Sequence, residues 1–101
     1  MSLPNTRSAA KRARQSERRR QRNQAVKSAT RTAVRRTWEA LAAGDIQVAA
    51  TRLRDAAAAL DRAVKKGVIH RNQAARRKSR LTRQLNALSA SAAGDEGSSP
   101  A

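Results

Sequence analysis

Apolar residues recur at steps of three and four in three stretches of this chain. Ile46, Ala49, Leu53, Ala57, Leu60 and Val64 are spaced 3, 4, 4, 3 and 4 apart. That spacing places them on one face of a helix. Ala74, Lys78, Leu81, Leu85 and Leu88 form a second seam of the same kind, with one lysine in it. A lysine there can lay its stem along the apolar line and lift its ammonium into water. A third seam, Val26, Ala29, Ala33 or Val34, Trp38 and Leu41, occupies only the second half of its stretch.

The breaks between the seams are sharply punctuated. The glycines are Gly44, Gly67, Gly94 and Gly97, and the prolines are Pro4 and Pro100. Everything between is rich in Ala, Arg, Gln and Leu, which are good helix formers. The pattern predicts helices over 5–43, 46–66 and 71–90. Pro4 should stand just outside the first, with Asn5, Thr6 or Ser8 as its cap. Gly44 and Gly67 should terminate the first two helices. Asp45 should cap the second, and Lys65 and Lys66 in its last turn suit the helix dipole. Val68 and Ile69 then read as connector residues that plug one end of a bundle. Three apolar seams of similar length joined by short turns predict an all-α, antiparallel three-helix bundle spanning one domain, residues 1–91. The tail 92–101 reads as disordered.

The unequal lengths change this picture. The second and third helices match only residues 24–43 of the first, so 5–23 should overhang the bundle by roughly 28 Å at about 1.5 Å per residue. The overhang holds Arg7, Lys11, Arg12, Arg14, Arg18, Arg19, Arg20 and Arg22 against the single acid Glu17. It has no apolar stripe, and like charges meet at Arg7–Lys11, Arg14–Arg18 and Arg18–Arg22. It is expected to fray when free and to order on a polyanion.

Charge then narrows the function. The formal net charge is +16 over 101 residues, which suits a polyanionic partner. The positive charge is concentrated in the overhang and the third helix, and Arg76, Arg80 and Arg83 lie opposite the leucine seam there. The second helix is nearly neutral; Asp55 and Arg62 point outward, and it reads as the solvent side. Asp61 reads as a surface partner of Lys65. Arginine far outnumbers lysine, and its planar fork suits phosphate.

Several classes drop out. With no cysteine, disulfide and thiolate-metal sites are excluded. His70 is the only histidine, and with no clustered carboxylates it offers neither metal site nor catalytic centre; it can cap the third helix or touch phosphate. No nucleophile–base pair and no phosphate-cradling glycine loop can be assembled, so no enzyme and no cofactor are expected. The Arg-rich start has the composition of a transit peptide but lacks an apolar face, which also speaks against a membrane-active helix. Trp38, the one aromatic, reads as core or bundle rim. No aromatic pair is available to stack single-stranded bases. A long basic rod on a small bundle suits the shape of a folded RNA; compaction of duplex DNA, as by a nucleoid protein, is the alternative.

At LDRAVKKGVIHRNQAARRKSRL, residues 60–81, the chain resembles the bacterial small-ribosomal-subunit protein S-twenty family. SAAKRARQSERRRQRN (8–23) and VKSATRTAVRR (26–36) resemble its other blocks. The resemblance implies a structural, cytoplasmic ribosomal protein that does not self-associate. It implies direct binding to 16S ribosomal RNA, at the 5′ domain and the penultimate stem, beside neighbouring ribosomal components. By position it implies RNA contacts from Lys11, Arg12, Arg14, Arg18, Arg19, Arg22 and Lys27, and from Lys66, His70, Arg71, Arg76, Arg77, Lys78 and Arg80. The PNT start, Trp38 and the sequence after Leu88 depart from the family pattern.

Overall fold

The computed structural model describes residues 3–97, with side-chain environments from 7 to 92. Three helices follow one another: α1 (Leu3–Ala43), α2 (Ile46–Lys65) and α3 (Arg71–Gly97). They form an antiparallel, all-helical bundle with α1 projecting far beyond one end. The molecule measures 88 × 21 × 14 Å. Its radius of gyration is 20.9 Å, where a compact chain of this length would have about 13 Å.

The two turns are built as the glycines foretold. Gly44 and Gly67 take φ of +76° and +74°, a region that side-chain-bearing residues rarely enter. At the first turn the Gly44 amide donates to the Leu41 carbonyl at 3.1 Å and the Asp45 amide to Ala40 at 3.3 Å. At the second the Gly67 amide donates to Val64 and the Val68 amide to Ala63, both at 2.9 Å. Each is a Schellman closure that satisfies the last carbonyls of its helix. Asp45 leaves the first turn extended and accepts from the Val48 amide at 3.2 Å, capping α2. Asp45→Ala should lower the melting midpoint by several degrees, the effect of losing about 1 kcal/mol of capping in a domain this small; thermal melting followed by circular dichroism measures it.

Two helix ends differ from expectation. α1 begins at Leu3, so Pro4 lies inside it and Asn5, Thr6 and Ser8 follow rather than cap. Proline is tolerated there because first-turn amides have no intrahelical acceptor to lose. α3 runs on to Gly97, into the tail expected to be disordered from 92. The Ser-Ala-Ser-Ala-Ala run sustains the helix, and one glycine costs only about 1 kcal/mol against alanine. Residues 98–101 lie outside the described residues.

The core is made largely of alanine. Ala49, Ala56, Ala59, Leu60 and Ala63 of α2 are buried, with Ala40 of α1 and Ala74 and Leu81 of α3. α2, expected on the solvent side, is in fact the central helix: it packs along both neighbours, while α1 and α3 meet only briefly. That role needs a wide apolar face, and Ala56, Ala59 and Ala63 supply a second stripe beside the predicted seam. The outer strip of α2, including Asp55 and Arg62, is exposed.

The seam of α1 is shifted from the predicted one. Ala29 and Trp38 are exposed, Trp38 at 41%. Thr30 and Thr37 are buried in their place. Each threonine donates its hydroxyl hydrogen within the helix, to Val26 O at 2.8 Å and to Ala33 O at 2.9 Å. No buried side-chain polar atom among the described residues lacks a partner. A self-satisfied hydroxyl is a small, dry knob that fits against alanines where an indole would not. Trp38 therefore belongs to the rim.

Candidate nucleic-acid interface

Residues 7–22 of α1 are all exposed. The first residues to pack are Asn23 and Val26, which sets the root of the overhang. Glu17 is held there by its own turn: Arg20 donates through Nε to Oε2 at 3.0 Å and Gln21 donates to Oε1 at 3.2 Å. The Arg20 hydrogen bond keeps the Glu17 carboxyl below its ordinary range, and Glu17 raises Arg20 in return. Arg20 is thus partly neutralised, while none of the other seven cations of the overhang has an acidic partner among the described residues.

The overhang is polarised around its axis. Arg12, Arg19 and Arg22 precede Thr30, Thr37 and Ala40 by 18 residues each, about five full turns. They therefore continue the line that faces the bundle further along. Glu17 and Gln21 stand in the same relation to Arg35 and Glu39, an exposed ion pair on the outer face. Arg12, Arg19 and Arg22 thus look toward the side on which α2 ends and α3 begins, and the paired acid looks away, while Arg7, Lys11 and Arg18 stand in line with the exposed Ala25, Ala29 and Arg36.

A re-entrant corner results where the overhang leaves the bundle. Arg19, Arg22 and Asn23 of α1 and Lys66 and Gly67 of the second turn enclose a crook of about 550 Å³. Next to the turn, Lys27, Thr30 and Arg31 of α1, Val68 and Ile69 of the connector, and Gln73 and Arg77 of α3 line a hollow of about 260 Å³. A third shallow basin lies on the first turns of α3, among His70, Asn72, Gln73, Arg76, Arg77 and Arg80. Val68 and Ile69, expected to plug the bundle, are half-buried and form the floor of the hollow.

His70 is the cap of α3. Its Nδ1 accepts from the Asn72 amide at 3.1 Å, and its carbonyl accepts the first helical bond, from Ala74, at 3.1 Å. The ring therefore carries its proton on Nε2. Arg71 is exposed on the first helical residue, and Arg76 reaches back toward the Asn72 carbonyl at 3.5 Å.

The structure brings together some of the expected contact residues and diverts one. Lys11, Arg12, Arg14 and Arg18 line the rod. Arg19, Arg22 and Lys66 meet in the crook, Lys27 and Arg77 in the hollow, and His70, Arg76, Arg77 and Arg80 on α3. Lys78 is half-buried, and its Nζ donates to Asp61 Oδ1 at 2.7 Å. Asp61 thus ties α2 to α3 instead of pairing with Lys65. Arg31 and Gln73 join the basic surface although the sequence did not single them out. Their signal was spacing alone: Arg31 lies one turn after Lys27, and Gln73 one turn before Arg77.

The arrangement suits phosphate. Guanidinium and ammonium groups project from helices around several concavities. Among the described residues no group of three His, Cys, Asp or Glu could hold a metal ion. No described helix is long and apolar enough to cross a membrane.

The chain is 52% identical over 86 residues to the small ribosomal subunit protein bS20 of Desulforamulus reducens, covering 85% of this chain and 98% of that one. It is 51% identical over 86 residues to the protein of the same name from Thermomicrobium roseum, covering 85% and 87%. To that of Cutibacterium acnes it is 51% identical over 88 residues, covering 87% and 100%. The family model for ribosomal protein S20 matches residues 4–86, which include the rod, both turns and the seam of α3 as far as Leu85. The chain belongs to the ribosomal protein S20 family, a family of structural ribosomal proteins rather than enzymes.

Proposed function

We propose that this protein binds 16S ribosomal RNA directly and holds segments of it together in the small ribosomal subunit, at the 5′ domain and against the penultimate stem. A path of unpaired cations supports this reading: it runs from Arg12, Arg19 and Arg22 on the bundle-facing side of the rod, through the crook, and onto the first turns of α3, with Lys11, Arg14 and Arg18 widening the basic surface around the rod. Two surfaces meeting at a corner can take two RNA segments at once. Neutralising both sets of phosphates lowers the repulsion between them and releases their counterions. The contacts are Lys11, Arg12, Arg14, Arg18, Arg19, Arg22 and Lys27 on α1, and Lys66, His70, Arg71, Arg76, Arg77 and Arg80 beyond it. Lys78, already held by Asp61, contributes its charge from one step behind this surface.

A competition assay at about 0.15 M salt tests the proposal, with small-subunit ribosomal RNA set against duplex DNA of equal phosphate content. The expected result is a preference for the ribosomal RNA of at least a hundredfold. Equal binding, with equally steep salt dependence for both, would mean that the charge acts without regard to shape.

A further inference from the structure

We infer that the hollow between α1 and the α2–α3 connector is a pocket for one unstacked nucleotide of the bound RNA. The inference rests on the RNA-binding reading above and adds to it a place where a base, and not only phosphate, is held.

The concavities of the basic surface are not alike. The crook, the α3 basin and two further ones along α1, at Arg19–Lys27 and at Arg31–Arg35, are lined by polar and charged side chains and one glycine. Only the hollow has an apolar floor, made by the half-buried Val68 and Ile69. A flat, weakly solvated ring gains by lying on such a floor. Around it stand groups that can address a base edge. Thr30 is 3% exposed and lines the hollow. Its hydroxyl proton is used on Val26 O, so its oxygen is left to accept. The exposed Gln73 amide both donates and accepts. Lys27, Arg31 and Arg77 form the rim, and none has an acidic partner among the described residues. They suit the phosphates on either side of an extruded nucleotide, and the guanidinium of Arg77, a half-buried residue, can lie against its face.

At about 260 Å³ the hollow falls just below the roughly 300–1,000 Å³ of sites for drug-sized ligands, which fits one base better than a larger group. Bulged and looped RNA offers bases that are already unpaired, so little stacking has to be given up. The hollow also meets a need of the rest of the surface. Phosphate contacts set a protein's orientation and register but carry no sequence information, whereas a base contact reads which nucleotide is present.

Gln73→Phe tests the pocket. Position 73 is exposed on α3, and the new ring would occupy the hollow while leaving all three cations in place. The full-length protein and the variant would each be offered small-subunit ribosomal RNA from which single bases had been removed at random. Bound and unbound molecules would then be compared position by position. For the natural chain, loss of one unpaired base should deplete the bound fraction about tenfold; the variant should ignore that same loss and bind intact RNA about tenfold more weakly. Helix content by circular dichroism checks that the variant folds. Gln73→Glu, which sets a carboxylate among the rim cations, provides a second variant with the same expected loss of discrimination.

The pocket is overturned if no single base matters to the natural chain, or if the same base matters as much to the two variants as to the natural chain. That result, combined with a retained preference for ribosomal RNA over duplex DNA, would remove the pocket and leave the RNA-binding reading standing. Loss of the preference itself would remove both.

Discussion

A chain lacking residues 1–23 should keep its bundle and lose most of its hold on RNA. Within the removed segment residues 7–22 are exposed throughout, and only Asn23, at its end, begins to pack. Deleting it should therefore leave the melting midpoint of the bundle within a few degrees of the full chain. The loss in binding should be large, because eight of the 23 basic residues go with it. If six of them meet phosphates, the slope of log affinity against log salt should flatten by about 4 to 5. At about 0.15 M salt the affinity should fall at least a hundredfold. Titration of fluorescently labelled RNA at several salt concentrations gives both quantities. Unchanged affinity and slope would place the RNA on α3 alone.

The second large effect is on folding. Among the described residues Leu60 and Leu81 are the only large apolar side chains that are fully buried, at 0% and 1% exposure. Leu60 lies on the central helix, within the stretch that packs on both neighbours. Leu60→Ala should cost about 3 kcal/mol, since alanines around the site cannot reach in to fill the space. In a domain of this size that lowers the melting midpoint by about 12 to 24 °C. The free variant should be partly unfolded at 37 °C, and ribosomal RNA should restore it, because a partner that binds only the folded form stabilises that form. Leu85→Ala, at a half-buried position, should cost visibly less. Equal effects at the two positions would mean that α2 does not form the centre of the core.

What the sequence made legible follows from which interactions are local. Both turns could be read from Gly44, Asp45 and Gly67, because a left-handed residue and a capping carboxylate act within a few residues of themselves. The root of the overhang could be read too, since apolar periodicity starts at Val26. The errors arose where tertiary packing decided. Trp38 fell on the predicted seam by its spacing, yet the alanine face of α2 admits only small knobs, so Trp38 lies at the rim and Thr30 and Thr37 took the seam one step away. Asp61 looked like a partner for Lys65 one turn on, but Lys78 reaches it across the helix interface at 2.7 Å. The centrality of α2 was hidden because alanines at 56, 59 and 63 read as helix filler until two neighbours cover them. The hollow was illegible for the plainest reason. It joins residues 27–31, 68–69 and 73–77, and only the turn at Gly67 brings them together.

Between Asn5 and Ala43 α1 contains neither glycine nor proline, so the rod and its seat in the bundle form one unbroken element. Such an element fixes an angle as well as a length. Removing one residue from the rod would turn every cation beyond the cut by about 100° and draw it in by about 1.5 Å. Removing seven would turn them by only about 20° while shortening the reach by two turns. Phase and reach can therefore be altered almost independently. The protein behaves as a gauge, set by residue count, for the separation and relative twist of whatever lies at its two ends.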